Sequence, residues 1–276
     1  MIRIESLSYS YDGSRNVLEN ISLEVRRGEF ISLIGPNGCG KSTLMRLMNG
    51  LLTPCSGCVT VDGIDTKSVK ELPRVRQLVG MVFQNPDTQI VGMTVEEDVA
   101  FGPGNLGLPP AEIRRRVDRS LERAGILELA SRAPHSLSSG EKQLVAVSGV
   151  LAMEPGYLIL DEATAYLDPA GKGRVLEVVS ELNREGIAVI HVTHHMDDAA
   201  KAGRVIVMAG NGILMDGPPA EVFGKAGILA EHGLTTPAAA GLAERLREAG
   251  LPIPDGVLTM EDAGDEIIRL FTVESP

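Results

Sequence analysis

The opening residues "MIRIESLSYSY" alternate apolar and polar side chains, as a strand does when one face is buried. "LENISLEV" (18–25) alternates in the same way, between the turns "YDGSR" (11–15) and "RRGE". "FISLIG" (30–35) is different. It is a nearly continuous apolar run, the pattern of a strand covered on both faces. A helix is expected from Lys41 to about Asn49, and strands at 57–62 ("GCVTVD") and 79–83 ("VGMVF"). From about 85 to 152 the pattern turns helical. Thr94 with Glu97 forms a capping box, and "PAEIRRRVDRSLERAG" (110–125) is amphipathic with a charged outer face. A further helix is expected from Glu141 to Met153. Strand runs return at 157–161, 187–193 and 204–209, with a helix at 169–185. That alternation predicts a parallel sheet covered on both faces. Beyond Gly217-Pro218-Pro219 the chain reads as short helices, "AEVF", "PAAAGLAERLREAG" and "MEDAGDEIIRLF".

Composition narrows the class. The 276 residues are 43% hydrophobic but only 3% aromatic, so the core is built from Val, Leu, Ile, Ala and Met. A net charge of −11 argues against a nucleic-acid partner and against loose docking on an anionic membrane. No apolar stretch is long enough to span a bilayer, and the first residues carry no signal-peptide pattern. A cytoplasmic location is therefore expected. The three cysteines, Cys39, Cys55 and Cys58, are expected as free thiols. "CSGC" (55–58) has C-x-x-C spacing, but it lacks a second close pair for zinc and a helix to open for redox work.

Two stretches look prepared for anions. "GPNGCGKST" (35–43) matches G-x-x-x-x-G-K-[ST] in full, between a buried strand and a helix. Backbone N–H groups of Gly35, Pro36-Asn37, Gly38, Cys39 and Gly40 (proline itself having none) would close around phosphates at a helix N-terminus. Lys41 would reach the β- and γ-phosphates, Ser42 would ligate Mg²⁺, and Thr43 would help hold the α-phosphate. "YLILDEAT" (157–164) ends a strand in Asp161 and Glu162, where α/β sheets bind ligands. Asp161 would orient the Mg²⁺, and Glu162 would polarise an attacking water. ATP is favoured over GTP, since no N-K-x-D motif follows. The second stretch is "SLSSGEKQL" (136–144), two serines and a glycine ahead of a helical run.

The P-loop, "SLSSGE" shortly before "LILDE", and "HVTHH" after the next strand occur in this order. The combination resembles the ATP-binding cassette (ABC) ATPases over residues 1 to about 217. The resemblance implies a P-loop α/β core with an antiparallel β subdomain and an inserted helical subdomain. It implies that Tyr11 stacks on adenine, with a surface-anchoring tyrosine as the plain alternative. It implies that Gln84 senses Mg²⁺ and the attacking water, and that His194 contacts the γ-phosphate. His195 stands where an Asp is common. Asp168 resembles the loop that couples two sites across a dimer. Ser138, Ser139 and Gly140 would cap the ATP of a facing subunit rather than their own. Ser139 and Glu141 depart from the usual "LSGGQ", and Leu144 replaces a usual arginine, which points to a weakened composite site and an asymmetric pair. A harmless variant in a homodimer is the alternative.

"FQNPDTQIVGMTVEEDVAFGPGNLGLP" (83–109) and the tail from 218 to 276 resemble more narrowly the ATPases of energy-coupling factor (ECF) and cobalt/nickel importers. That resemblance implies an ATPase driving import of a vitamin or transition-metal ion. It also implies a second ATP-binding subunit, a transmembrane coupling protein and a membrane substrate-binding protein, at the cytoplasmic face of the membrane. The segment 218–276 would form a helical extension that helps the ATPases pair. Ile90, Val91, Met93 and Phe101 are candidates for the groove that receives the coupling protein, or for ordinary core. The rival readings are a soluble ABC ATPase of translation or repair, and a regulatory nucleotide-binding module without turnover.

Overall fold

The computed structural model describes residues 1–273; the last residues of the expected tail, 274–276, lie outside the described part. β1 (Ile2–Tyr9), β2 (Leu18–Val25) and β3 (Phe30–Ile34) lead into α1 (Lys41–Met48). β4 (Ser56–Val61), β5 (Ile64–Asp65), α2 (Leu72–Leu78) and β6 (Val79–Val82) follow. Three helices then come without a strand between them: α3 (Val95–Asn105), α4 (Pro110–Arg123) and α5 (Ser139–Leu151). Alternation resumes with β7 (Tyr157–Asp161), α6 (Pro169–Arg184), β8 (Ala188–Val192), α7 (Met196–Ala199), β9 (Arg204–Ala209) and β10 (Gly212–Gly217). The chain ends in α8 (Pro219–Phe223), α9 (Ala226–Glu231), α10 (Ala238–Glu248) and α11 (Met260–Val273).

Two compact units result. The first comprises residues 1–29 and 42–192. It holds an antiparallel sheet in the order β2-β1-β4-β5. The apolar alternation of β1 slips from Ile2 and Ile4 to Leu7 and Tyr9, and the register shifts at the same place. Ser6, at φ 46°, sits inside that irregularity and turns the strand so that both apolar pairs stay buried. The same unit holds β6, β7 and β8, paired in parallel. Every residue of these three strands is buried, which is why their sequences run apolar rather than alternate.

The helical stretch belongs to this unit. α3 packs against α4 and α5, burying Val95 and Val99 on α3 and Val117 and Leu121 on α4. Thr94 caps α3 through the expected box with Glu97. α5 is buried almost all round from Gln143 to Ser148, which accounts for the apolar run around it. Among the described residues no helix is long and apolar enough to cross a membrane.

The second unit comprises residues 30–41 and 193–276. Here β3 pairs in parallel with β9, and β10 pairs antiparallel with β9. The parallel expectation therefore holds for β3, β6, β7, β8 and β9, while β10 folds back along its neighbour. Ile34, Val205 and Val207 form a core with Met196, Phe223 and Leu229, so α8 and α9 are seated on the strands. A smaller cluster of Ala239, Ala243, Ile253, Val257 and Ala263 holds α10 against α11.

Candidate nucleotide site

The loop after β3 is shaped by its glycines. A Cβ on Gly35 would lie 2.3 Å from the Met208 carbonyl oxygen and 2.9 Å from Cys39 Sγ, so only glycine fits. Gly38 and Gly40 have φ of 79° and 101°, the left-handed region that glycine enters freely. The Lys41 ammonium donates to the carbonyls of Gly35 (2.8 Å) and Pro36 (3.0 Å), curling the loop over its own side chain. Two of its three N–H groups are spent there, leaving one for an incoming anion. Cys39 is buried, and burial pushes its thiol pKa up, so it stays protonated. In the same unit His194 and His195 are exposed after β8, and His195 N–H donates to Thr193 Oγ1 at 3.0 Å.

The first unit assembles the carboxylates. Ser42 Oγ donates to Asp161 Oδ1 at 3.0 Å, joining the start of α1 to the end of β7. Gln84 Nε2 donates to Glu162 Oε2, also at 3.0 Å. Glu162 has φ 54°, a left-handed conformation uncommon for a residue with a Cβ, and strain of this kind gathers at working sites. Ser42, Gln84, Asp161 and Glu162 line one cavity of about 340 Å³, together with Arg46. Arg46 stands one helical turn beyond Ser42, so the same face of α1 presents both. It was not singled out from the sequence, although that spacing carries the signal.

The Gln84 loop is held from behind. Gln89 accepts from Phe83 N–H at 3.0 Å and donates to the Met81 carbonyl, and Gln143 donates to the Phe83 carbonyl. Asp98 accepts from the N–H groups of Val91 (2.7 Å) and Gly92 (3.0 Å). Val91, Met93 and Phe101 are 63%, 81% and 57% exposed, so these three are surface rather than core.

Tyr11 is also largely exposed, and its hydroxyl lies 3.1 Å from Thr43 Oγ1. Its ring stands edge-on to Tyr9, with centroids 5.0 Å apart. Asp12 builds the turn that presents it. The N–H and hydroxyl of Ser14 hydrogen-bond the Asp12 carboxylate and hold its pKa down at about 2.

The serine-rich stretch is a closed capping box. Ser138 Oγ accepts from Glu141 N–H at 3.3 Å, while Glu141 Oε2 accepts from both the N–H and the hydroxyl of Ser138 at 2.8 Å. Those two bonds hold the Glu141 carboxyl below its ordinary pKa. Ser139 is exposed beside it. Gly140 is buried against Gly171, and Asp168 caps α6 by accepting from Gly171 N–H at 2.8 Å. Lys142 pairs with Asp87 at 2.7 Å, tying the start of α5 to the Gln84 loop. Leu144, in the place of the usual arginine, is buried.

The oxygens of Ser42 and Asp161, with the Gln84 amide in the same cavity, suit a hard divalent cation. Among the described residues no group of three or more His, Cys, Asp or Glu converges into a cage. The three cysteines are free, and the Cys55 and Cys58 thiols point to different partners, the Ser10 carbonyl and the Glu5 carboxylate.

A glycine-curled loop feeding a helix, with a strand-end Asp-Glu pair against that helix and a glutamine on the Glu, defines a P-loop ATPase of the cassette class. The comparisons agree. The family described as "ABC transporter" matches residues 18–165. The cobalt import ATP-binding protein CbiO of Syntrophus aciditrophicus is 50% identical, covering 97% of this chain and 96% of its own. The energy-coupling factor transporter ATP-binding protein EcfA1 of Symbiobacterium thermophilum is 50% identical over the same shares. The solved structure of cbiO1 from Clostridium perfringens, described as part of the ABC transporter complex cbiONQ, superposes with a TM-score of 0.76 at 38% identity, covering 90% of this chain and 96% of that one. The chain belongs to the ABC transporter family, as one of its ATP-binding subunits.

Proposed function

We propose that this chain hydrolyses ATP to power an ECF-type importer of a vitamin or a transition-metal ion, through ATP-driven closure of a pair of ATPases. The observation that carries the reading is the Gln84–Glu162 hydrogen bond in the same cavity as the Ser42–Asp161 bond. Near full-length likeness to importer subunits supports transport over the soluble and regulatory rivals.

Residues 1–217 serve as the nucleotide-binding domain, with 85–152 as its helical insertion. Lys41 and the N–H groups from Gly35 to Gly40 bind the phosphates, and Thr43 supports them. Tyr11 stacks on adenine. Ser42, Gln84 and Asp161 would hold Mg²⁺, which would supply positive charge against the phosphates. Glu162 takes a proton from the attacking water, and Gln84 fixes the plane of its carboxylate. His194 bears on the γ-phosphate.

The partners follow from what one chain leaves unused. Ser138, Ser139 and Gly140 face the ATP of a second ATP-binding subunit, with Asp168 at the junction. Residues 218–276 contribute to that pairing. The exposed Val91, Met93 and Phe101 receive a transmembrane coupling protein at the cytoplasmic face of the membrane. Cargo is held by a separate membrane protein.

Two experiments test this. Glu162→Gln in the purified complex should keep ATP affinity and lower turnover by about 10²- to 10⁴-fold. Unchanged hydrolysis would remove Glu162 as the proton acceptor. A tagged pull-down from solubilised native membranes should bring down integral membrane proteins with a second, different ATPase. Recovery of no membrane protein, under conditions that preserve a known transporter, would overturn the importer reading.

A further inference from the structure

Gln84 stands just beyond the strand that carries it. β6 pairs with β7 as far as Val82 and Leu160, and Gln84 and Glu162 each lie two residues past that last pair. The β6–β7 ladder therefore no longer sets their directions. Glu162 is held through its N–H, which donates to the Val192 carbonyl at 3.2 Å. On the other side, two side-chain amides grip the backbone of Phe83, the residue before Gln84. The Phe83 N–H donates to Gln89 Oε1 at 3.0 Å, and its carbonyl accepts from Gln143 Nε2 at 3.2 Å.

Gln143 is the more telling of the two. It lies on α5, one turn past Ser139, and is fully buried. Its Oε1 is buried with no hydrogen-bond partner. Turning the amide over would set Oε1 against the Phe83 carbonyl, two acceptors face to face, so the unmatched oxygen is built in. A buried acceptor without a partner is destabilising, and methionine would fill a similar length with no such oxygen. Stability alone gives no reason for an amide at this position. The neighbouring Lys142–Asp87 pair links the same helix to the loop, but Asp87 is exposed and three residues beyond Gln84, so water weakens that link.

We propose that Gln143 is a positioning residue for ATP hydrolysis: it holds the Phe83 carbonyl, and so the direction from which Gln84 reaches Glu162 Oε2. The proposal rests on the roles given above to Gln84 and Glu162. The Phe83 carbonyl and the Gln84 N–H share one rigid peptide plane, so fixing the carbonyl fixes the start of Gln84. Gln143 itself does not line the nucleotide cavity, so it acts on the hydrolytic step and not on ATP affinity.

The test is a double-mutant cycle on the assembled complex. Gln143→Met should lower kcat for ATP hydrolysis by about 3- to 10-fold, as for one ordinary hydrogen bond, with KM for ATP and melting temperature close to wild type. In a Gln84→Ala background the same substitution should cause no further loss, because the side chain it positions is gone. Gln143→Asn keeps an amide that falls short of the carbonyl and should repeat both results; it carries the test if the methionine variant does not assemble. Wild-type kcat in Gln143→Met, a loss of equal size in both backgrounds, or a loss that falls on KM would overturn the proposal. Wild-type kcat in Gln84→Ala alone would instead remove the role given to Gln84, and this proposal with it.

Discussion

Gly140 and Gly171 meet backbone to backbone: a Cβ on Gly140 would lie 3.1 Å from Gly171 Cα. The helix that starts at the signature serines is thus laid directly on the helix that Asp168 caps. Gly171→Ala puts a Cβ 2.7 Å from Asp168 Oδ1 and 3.3 Å from Gly140 Cα. The carboxylate can swing away, but then it no longer caps Gly171 N–H, which costs about 1 kcal/mol. Alanine returns a similar amount in helix propensity, about 1 kcal/mol. Melting temperature should therefore change little while ATP turnover of the assembled complex falls, because the two helix starts are pushed apart. Turnover at wild-type level in Gly171→Ala would show that this contact is only packing.

Gln84→Ala removes the donor to Glu162 Oε2. A hydrogen bond to a charged group contributes about 1.5–3 kcal/mol, which corresponds to roughly a 10- to 100-fold loss if it is spent on orienting the carboxylate in the transition state. The loss should fall on kcat, with ATP affinity little changed. Steady-state ATPase assays on the complex check this.

Glu141 occupies both donors of Ser138, so on the proposed pairing a phosphate from a facing subunit would have to displace it. Ser139→Gly with Glu141→Gln keeps the capping pattern, since Gln also serves at that position, and removes the negative charge. Turnover of the assembled complex should rise by about 2- to 10-fold, the worth of one ordinary hydrogen bond. Unaltered turnover would mean that the variant signature is not a weakness.

Tyr157 donates to Asp62 Oδ1 at 2.7 Å, with the Arg27 guanidinium 4.7 Å from the ring centre and also paired to Asp62. Burial pushes the Tyr157 pKa up to about 12, helped by Asp62. Burial opposes ionisation of Asp62, but the Met1 amine, Tyr157 and Arg27 outweigh it and hold the pKa at about 2. The depressed carboxylate contributes stability that is fully present above its ordinary 3.8 and lost as pH falls through about 2. The raised phenol contributes stability present below 10 and lost as pH rises through about 12. Tyr157→Phe should cost about 1–2 kcal/mol at neutral pH and move the acid unfolding midpoint to higher pH. Denaturant melts across the acid range check both.

What could be read from the sequence was what one chain segment encodes by itself. The loop from Gly35 to Thr43 and the Asp161-Glu162 pair are contiguous, and their chemistry fixes residue type and spacing. Buried strands announced themselves because every position of β6, β7 and β8 is covered. Elements that draw little from their own residues were missed. α2 has a proline in its first turn and no side-chain cap, β5 is two residues long, and β10 gets its place from β9. Arg46 was overlooked because a lone arginine on a helix reads as solvated surface. The Ser138-Glu141 box has the same S/T-x-x-E spacing as Thr94-Glu97, yet only the latter was read as a cap. Glu141 drew attention as a charge facing a phosphate, and its local partner went unseen. Gly140 is expected from the sequence to cap a facing ATP with Ser138 and Ser139; its packing against Gly171 is a separate matter that depends on a residue in another helix.

The Tyr11–Thr43 contact, with the role proposed for Tyr11, would give the protein a built-in optical reporter. The chain has no Trp and four Tyr, so emission excited near the tyrosine maximum, where Phe does not absorb, comes from tyrosine. Tyr157 is bonded to a carboxylate, an environment that quenches a phenol, and Tyr9 is buried edge-on to Tyr11. Tyr166 is exposed and remote in sequence from the phosphate loop. Tyr11, exposed and bonded to the hydroxyl that follows Ser42, is the emitter an arriving purine would meet first. Nucleotide occupancy should be readable without any label, from a signal that Tyr11→Leu abolishes.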